Sequence, residues 1–112
     1  YDSNALWNAY LPYNLRIIMI NNGGGGIFKI IPGPASTKQL EKFFEAHHHT
    51  TAKELCKAFD VGYFHAASVL EIESQMADFY SIDQHGKAKL MEITTPSEIN
   101  HEKLNSFFEA LK

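Results

Sequence analysis

With 112 residues the chain has enough length to bury one core, so one domain or part of one is expected. Its 45% hydrophobic and 21% charged residues exclude a disordered segment, and a formal net charge of −3 gives no electrostatic footprint for nucleic acid or an anionic membrane. The single cysteine, Cys56, cannot form an internal disulfide, which fits a reducing, cytoplasmic setting.

In chain order, residues 4–10 are predicted as a short helix, ended by Pro12 because the residue before a proline avoids the helical region. Residues 15–20 (LRIIMI) form a compact β-branched run of strand length. Being apolar on both faces, the run reads as a central buried strand. The longest uninterrupted apolar run, residues 17–20, is stopped by Asn21 and Asn22 far short of a membrane span. Residues 21–26 (NNGGGG) must turn, since four glycines are too costly in entropy inside a regular element. Residues 27–31 are apolar again, before Pro32-Gly33-Pro34 breaks the chain.

Ser36 and Gln39 offer a capping box for a helix over residues 37–46. Thr51 and Glu54 repeat the pattern ahead of Ala52, Leu55, Cys56 and Phe59, which share one helical face. Ser68 and Glu71 do the same ahead of Ile72, Met76, Phe79 and Tyr80. Asn100 is placed to cap a last helix whose face is Leu104, Phe107, Phe108 and Leu111. Residues 61–65 and 88–93 are the remaining strand candidates.

Strands separated by helices cannot be hairpins. The predicted fold class is therefore α/β, a three-layer α/β/α arrangement around a parallel sheet. Ligands of such sheets sit beyond the carboxyl ends of the strands, where residues 21–26 follow the first strand. An Asn amide oxygen is a hard, neutral ligand suited to Mg²⁺ or Ca²⁺. Glycine lets a backbone carbonyl turn to the same ion and lets a diphosphate approach closely. The segment supplies no carboxylate, and the nearest upstream acid is Asp2. On spacing alone it reads equally as a glycine-rich turn without a ligand. It is neither a P-loop nor a dinucleotide fingerprint.

Tyr1-Asp2-Ser3-Asn4-Ala5-Leu6-Trp7, residues 15–20, Asn21-Asn22-Gly23-Gly24-Gly25-Gly26-Ile27-Phe28 and Pro32-Gly33 closely resemble one family of thiamine-diphosphate (ThDP) enzymes. It is the 2-succinyl-5-enolpyruvyl-6-hydroxy-3-cyclohexene-1-carboxylate synthases of menaquinone biosynthesis, in the form found in Bacteroidetes-type bacteria. The likeness runs through the whole chain and is strongest in its first third. It implies that residues 1–112 are the C-terminal portion of a ThDP- and Mg²⁺-binding domain, truncated on its N-terminal side. The lack of an initial methionine agrees with that expectation.

In ThDP enzymes a signature opens on Gly-Asp and closes on Asn-Asn, and Asn21-Asn22 match its closing half. By resemblance, Asn22 would give its side-chain oxygen and Gly24 its carbonyl to Mg²⁺. Asn22, Gly23, Gly24, Gly25, Ile27 and Phe28 would line the cofactor, and Phe28 and Ile31 the substrate. The activity implied is a ThDP-dependent transfer that decarboxylates 2-oxoglutarate and adds the succinyl-derived carbanion to isochorismate. No catalytic residue is assigned within this chain, which alone is expected to be inactive. Its partners would be the rest of the polypeptide and further copies in a dimer or tetramer.

A different ThDP enzyme, of acetohydroxyacid synthase or 2-oxoacid decarboxylase type, would share the Asn-Asn-Gly end but not the Gly-Ile-Phe and Pro-Gly-Pro surroundings. A non-catalytic flavodoxin-like binding module would instead hold a complete ligand site within these residues.

Three consecutive histidines, His47-His48-His49, point in different directions and converge poorly on one metal. His65 is a lone histidine and reads as structural. Cys56 sits on an apolar face as a core thiol, and Arg16 lies in a strand. Ile27, Phe28, Ile30 and Ile31 are the expected exposed apolar patch. The glycine loop, lacking side chains to pack, is expected to be mobile.

Overall fold

The structure is a computed structural model that describes residues 3–31, 33, 36–82 and 86–112, with the side chain of residue 41 left aside. Tyr1, Asp2, Pro32 and Pro34 of the quoted motifs lie outside the described residues. The chain divides into two compact units, residues 1–20 with 51–94 and residues 21–50 with 95–112.

The first unit carries a parallel sheet of β1 (Arg16–Asn21), β2 (Gly62–Ala66) and β3 (Lys89–Thr94), in the order β1-β3-β2. Strands β2 and β3 run parallel with Tyr63 opposite Leu90 and His65 opposite Glu92. At the other edge of β3, Lys89 N–H donates to the Leu15 carbonyl at 3.0 Å, so the two strands start side by side.

Alternation along the strands puts Tyr63, Leu90 and Glu92 on one face and Phe64 and Met91 on the other. Helix α1 (Lys53–Ala58) covers the first face, where Ala52 and Cys56 join Val61, Ala88 and Leu90 in the core. Helix α2 (Val69–Tyr80) covers the second, with Phe79 edge-on to Phe64 at 5.6 Å between ring centroids. The three-layer α/β expectation is met in this unit. Among the described residues no helix is long and apolar enough to cross a membrane.

β1 is not the central strand that its apolar sequence predicts. β3 takes the centre, and Ile18 and Ile20, on the α2 side of β1, are 51% and 58% exposed. Arg16 fills the same side by donating to the carbonyls of Phe79 and Ser81, so its role is to tie the strand to the end of α2.

Helix starts follow the predicted caps only once. Ser68 accepts from Glu71 N–H at 3.3 Å, and the Glu71 carboxylate reaches back to Ala67 N–H at 2.7 Å. Those hydrogen bonds, Ala67's first, hold the Glu71 carboxyl below its usual value. Thr51 does not cap α1. That helix begins one residue later than the box requires, and buried Glu92 accepts the Ala52 N–H at 2.9 Å instead. The helix at the chain's start is a single 3-10 turn, Asn4–Trp7.

Cys56 is fully buried, and burial with the nearby Glu92 charge pushes its thiol up from 9.0. Burial and the Glu92 hydrogen bond and charge also push the Tyr63 phenol up. Both groups are neutral in the folded chain and ionise more readily once unfolded. Their contribution is complete below the unfolded thiol value of 9.0 and is lost as the pH rises above it. Thermal melts should be unaffected by these groups at neutral pH and shift downward from about pH 9. The shift should shrink in Cys56→Ala.

Candidate functional site

The second unit is organised around the turn that leaves β1. Asn21 closes the strand: its carbonyl accepts Thr95 N–H at 3.0 Å and its side chain donates to the Thr50 carbonyl at 2.9 Å. Two successive side-chain turns follow. Gly23 N–H donates to Asn21 Oδ1 at 3.0 Å, and Gly24 N–H donates to Asn22 Oδ1 at 3.3 Å. Gly23 takes φ +72°, a left-handed conformation that a side chain would strain.

The loop is clamped from outside by residues 45–48. The Gly23 carbonyl accepts His48 N–H at 2.8 Å, and Gly25 N–H donates to the Glu45 carbonyl at 2.6 Å. Gly24 lies so close to this segment that a Cβ there would stand 2.9 Å from Glu45 Cγ and 3.0 Å from the Glu45 carbonyl oxygen. Main-chain hydrogen bonds thus hold a loop that was expected to be loose for want of side chains.

Residues 36–44 do not form the helix read from the sequence. Ser36 turns its hydroxyl to the Gly33 carbonyl rather than to Gln39, and only a short π-helix forms, Leu40–Phe44. Glu45 follows it, 1% exposed. Its Oε1 lies 2.9 Å from Lys29 Nζ and accepts the Ser97 hydroxyl at 2.9 Å. Its Oε2 is 3.1 Å from His47 Nε2, near enough for charge attraction but not aligned as a hydrogen bond. Burial raises the carboxyl's pKa. The hydrogen bonds from Lys29 and Ser97 and the charges of Lys29 and His47 outweigh it, so Glu45 falls below its usual value and stays ionised.

Gly26–Lys29 is a 3-10 helix. It leaves Ile27 60% exposed and turns Phe28 onto the Phe44 ring at 5.5 Å. Ile31 is 40% exposed, whereas Phe28 and Ile30 are half-buried, so the expected apolar patch is only partly open. An open cavity of about 290 Å³ lies beside the loop, lined by Asn22, Gly26, Ile27, Ile30, Asn100, His101 and Leu104. The structure therefore brings Asn22 and Ile27 to one cavity, while Phe28 and Ile31 are not among its lining residues.

The last three lining residues belong to helix α3 (Ser97–Glu109). Asn100 was expected to cap α3 and does not. The helix starts at Ser97 after Pro96, and Asn100 Nδ2 donates to Thr95 Oγ1 at 2.9 Å from inside the helix. His101, which sequence reasoning passed over, has a buried Nδ1 with no hydrogen-bond partner. Leu104, Phe107, Phe108 and Leu111, the predicted apolar face of α3, are exposed in this chain.

The loop offers Asn22 Oδ1 and the Gly24 carbonyl, which accepts Gly26 N–H at 3.1 Å. Each oxygen is engaged once and keeps a second lone pair. Both are neutral, hard donors of the kind Mg²⁺ accepts alongside carboxylates. Among the described residues no carboxylate joins them. Glu45 is committed to Lys29 and Ser97, and no cluster of three or more His, Cys, Asp or Glu able to hold a metal occurs among the described residues. His47 faces Glu45, and His48 Nδ1 accepts Thr50 N–H at 3.3 Å, so the histidine run is dispersed as expected.

No protein-family model matches the chain. Curated proteins do. A 2-succinyl-5-enolpyruvyl-6-hydroxy-3-cyclohexene-1-carboxylate synthase of Christiangramia forsetii is 50% identical over 112 residues, 100% of this chain and 19% of that protein. Synthases of the same name from Flavobacterium johnsoniae and Porphyromonas gingivalis are 40% and 41% identical over 99% and 96% of the chain. These alignments cover 20% and 18% of the two proteins, so the chain spans about a fifth of the length of the curated relatives it matches. With its whole length aligned at up to 50% identity, the chain belongs to the 2-succinyl-5-enolpyruvyl-6-hydroxy-3-cyclohexene-1-carboxylate synthase family.

Proposed function

We propose that this chain is the C-terminal portion of the cofactor domain of a cytoplasmic, ThDP- and Mg²⁺-dependent synthase of menaquinone biosynthesis, a transferase that decarboxylates 2-oxoglutarate and passes its succinyl unit to isochorismate. The observation that carries the reading is the clamped loop after β1, which presents two neutral oxygens, Asn22 Oδ1 and Gly24 O, in a chain 50% identical to a synthase of that name. Bound ThDP would supply the stabilisation of negative charge on which decarboxylation and carbon–carbon bond formation depend.

The chain's own residues bind and orient. Asn22, through its side-chain oxygen, and Gly24, through its carbonyl, would hold the Mg²⁺, which would supply positive charge for the diphosphate. Gly23 and Gly25 let the main chain come close to it. Ile27, Phe28 and Ile31 would exclude water beside the cofactor and the succinyl unit once the rest of the site covers them. The carboxylate ligand and the catalytic acid and base come from elsewhere in the polypeptide or from a second copy. The exposed Ile18, Ile20, Phe107 and Phe108 provide apolar surface for those partners in a homo-oligomer.

Titration calorimetry with ThDP and Mg²⁺ tests this. The intact protein containing this chain should bind ThDP only with Mg²⁺ and transfer succinyl from 2-oxoglutarate to isochorismate. Asn22→Ala in that protein should weaken binding about 10- to 100-fold, the loss of one charge-assisted contact of about 1.5–3 kcal/mol. The 112-residue chain alone should bind weakly or not at all. Micromolar binding by the isolated chain would overturn the placement of the missing ligands outside it.

A further inference from the structure

We propose that Glu45, held by Lys29 and Ser97, is the positioning residue of the cofactor loop, setting where the Asn22 and Gly24 oxygens stand. The proposal rests on the Mg²⁺-binding reading of that loop. Three segments distant in sequence meet at one buried carboxylate. Lys29 comes from the 3-10 helix that follows the loop, Ser97 from the first turn of α3, and Glu45 from the end of the π-helix. The Lys29 ammonium is itself largely buried, with 13% of its side chain exposed, and also contacts Ser97 Oγ at 3.1 Å.

An ion pair in such a place is a poor source of stability, because desolvation offsets most of the attraction. What it does provide is a fixed geometry, and Glu45 is placed to pass that geometry on. Its main-chain carbonyl accepts Gly25 N–H at 2.6 Å, and three residues later His48 N–H reaches the Gly23 carbonyl at 2.8 Å. Its Cγ closes over Gly24. The side chain is fixed by charge and the main chain of the same residue grips the loop. His47, half-exposed, places its Nε2 3.1 Å from Oε2 on the other side of the carboxylate.

Two measurements on the intact protein decide the matter. The first is amide hydrogen exchange at Gly23, Gly25 and His48 without cofactor. Glu45→Gln should speed exchange there about tenfold while leaving the β2 and β3 amides unchanged. The second is the Mg²⁺ concentration that half-saturates ThDP binding. It should rise about tenfold in Glu45→Gln, with affinity returning to within about twofold of wild type at saturating Mg²⁺. Lys29→Arg should stay close to wild type in both.

If Glu45→Gln does not fold, Ser97→Ala removes a single donor and should give shifts of about threefold. Unchanged exchange in the variant that folds would overturn the proposal, as would a loss of affinity that saturating Mg²⁺ does not recover. A wild-type protein without Mg²⁺-dependent ThDP binding would overturn the proposed function and the metal half of this inference. The exchange measurement would still decide whether Glu45 holds the loop.

Discussion

Glu92→Ala should destabilise the sheet unit by about 2–5 kcal/mol, a large fraction of what a small domain has to lose. Glu92 is 0% exposed on the central strand. Its Oε2 accepts both Ala52 N–H at 2.9 Å and the Tyr63 hydroxyl at 2.8 Å. Alanine leaves the buried Ala52 N–H and the part-buried Tyr63 hydroxyl without their acceptor, the first at a cost of about 1–3 kcal/mol, and opens a void against Cys56 and Tyr63. Glu92→Gln keeps an acceptor oxygen of the same reach and should cost less. Tyr63→Phe removes a single donor together with part of the carboxylate's solvation. Urea unfolding of the three variants gives the ranking. A loss below about 1 kcal/mol for alanine would mean that the two donors find other partners.

The same residue shows where the sequence was legible and where it was not. Local signals read well. The strands lie within one residue of their predicted bounds, and Ser68 with Glu71 starts α2 because both partners of that box are four residues apart at most. Non-local decisions were hidden. LRIIMI looks more central than KLMEIT, yet β3 holds the centre, and its one acid, Glu92, accepts from the start of α1 and from Tyr63. Glu45 is hidden for the same reason, since an acid reads as solvent-facing until its Lys29 and Ser97 partners are known. Of the loop, the turn was visible in Asn-Asn-Gly-Gly, whereas the choice of Asn22 Oδ1 and the Gly24 carbonyl came only from the family resemblance. Its clamping by residues 45–48 was not visible, because main-chain hydrogen bonds leave no mark on residue type. His101 gave no signal either, its place on the cavity being fixed only by where α3 begins.

If the loop holds Mg²⁺ as proposed, Gly24→Ala in the intact protein should weaken Mg²⁺-dependent ThDP binding about 10- to 100-fold, although the carbonyl that would bind the ion is kept. The added methyl would stand 2.9 Å from Glu45 Cγ and 3.0 Å from the Glu45 carbonyl, closer than carbon contacts in folded proteins allow. Neither neighbour can step aside. The carbonyl is already bound to Gly25 N–H, and the side chain is fixed between Lys29 and Ser97. The loop must therefore move, at an overpacking cost of about 1–3 kcal/mol, and the Gly24 carbonyl moves with it. Mg²⁺ tolerates little departure from octahedral geometry, so a small displacement of one oxygen is felt directly in affinity. His48→Ala is the control. Its hold on Gly23 runs through the main-chain N–H and survives the substitution, so binding should remain within about twofold of wild type. Calorimetry of both variants, with thermal melts to monitor folding, gives the comparison. A Gly24→Ala protein that binds ThDP with unchanged Mg²⁺ dependence would remove the Gly24 carbonyl from the metal's ligand set and leave Asn22 as the loop's one contribution.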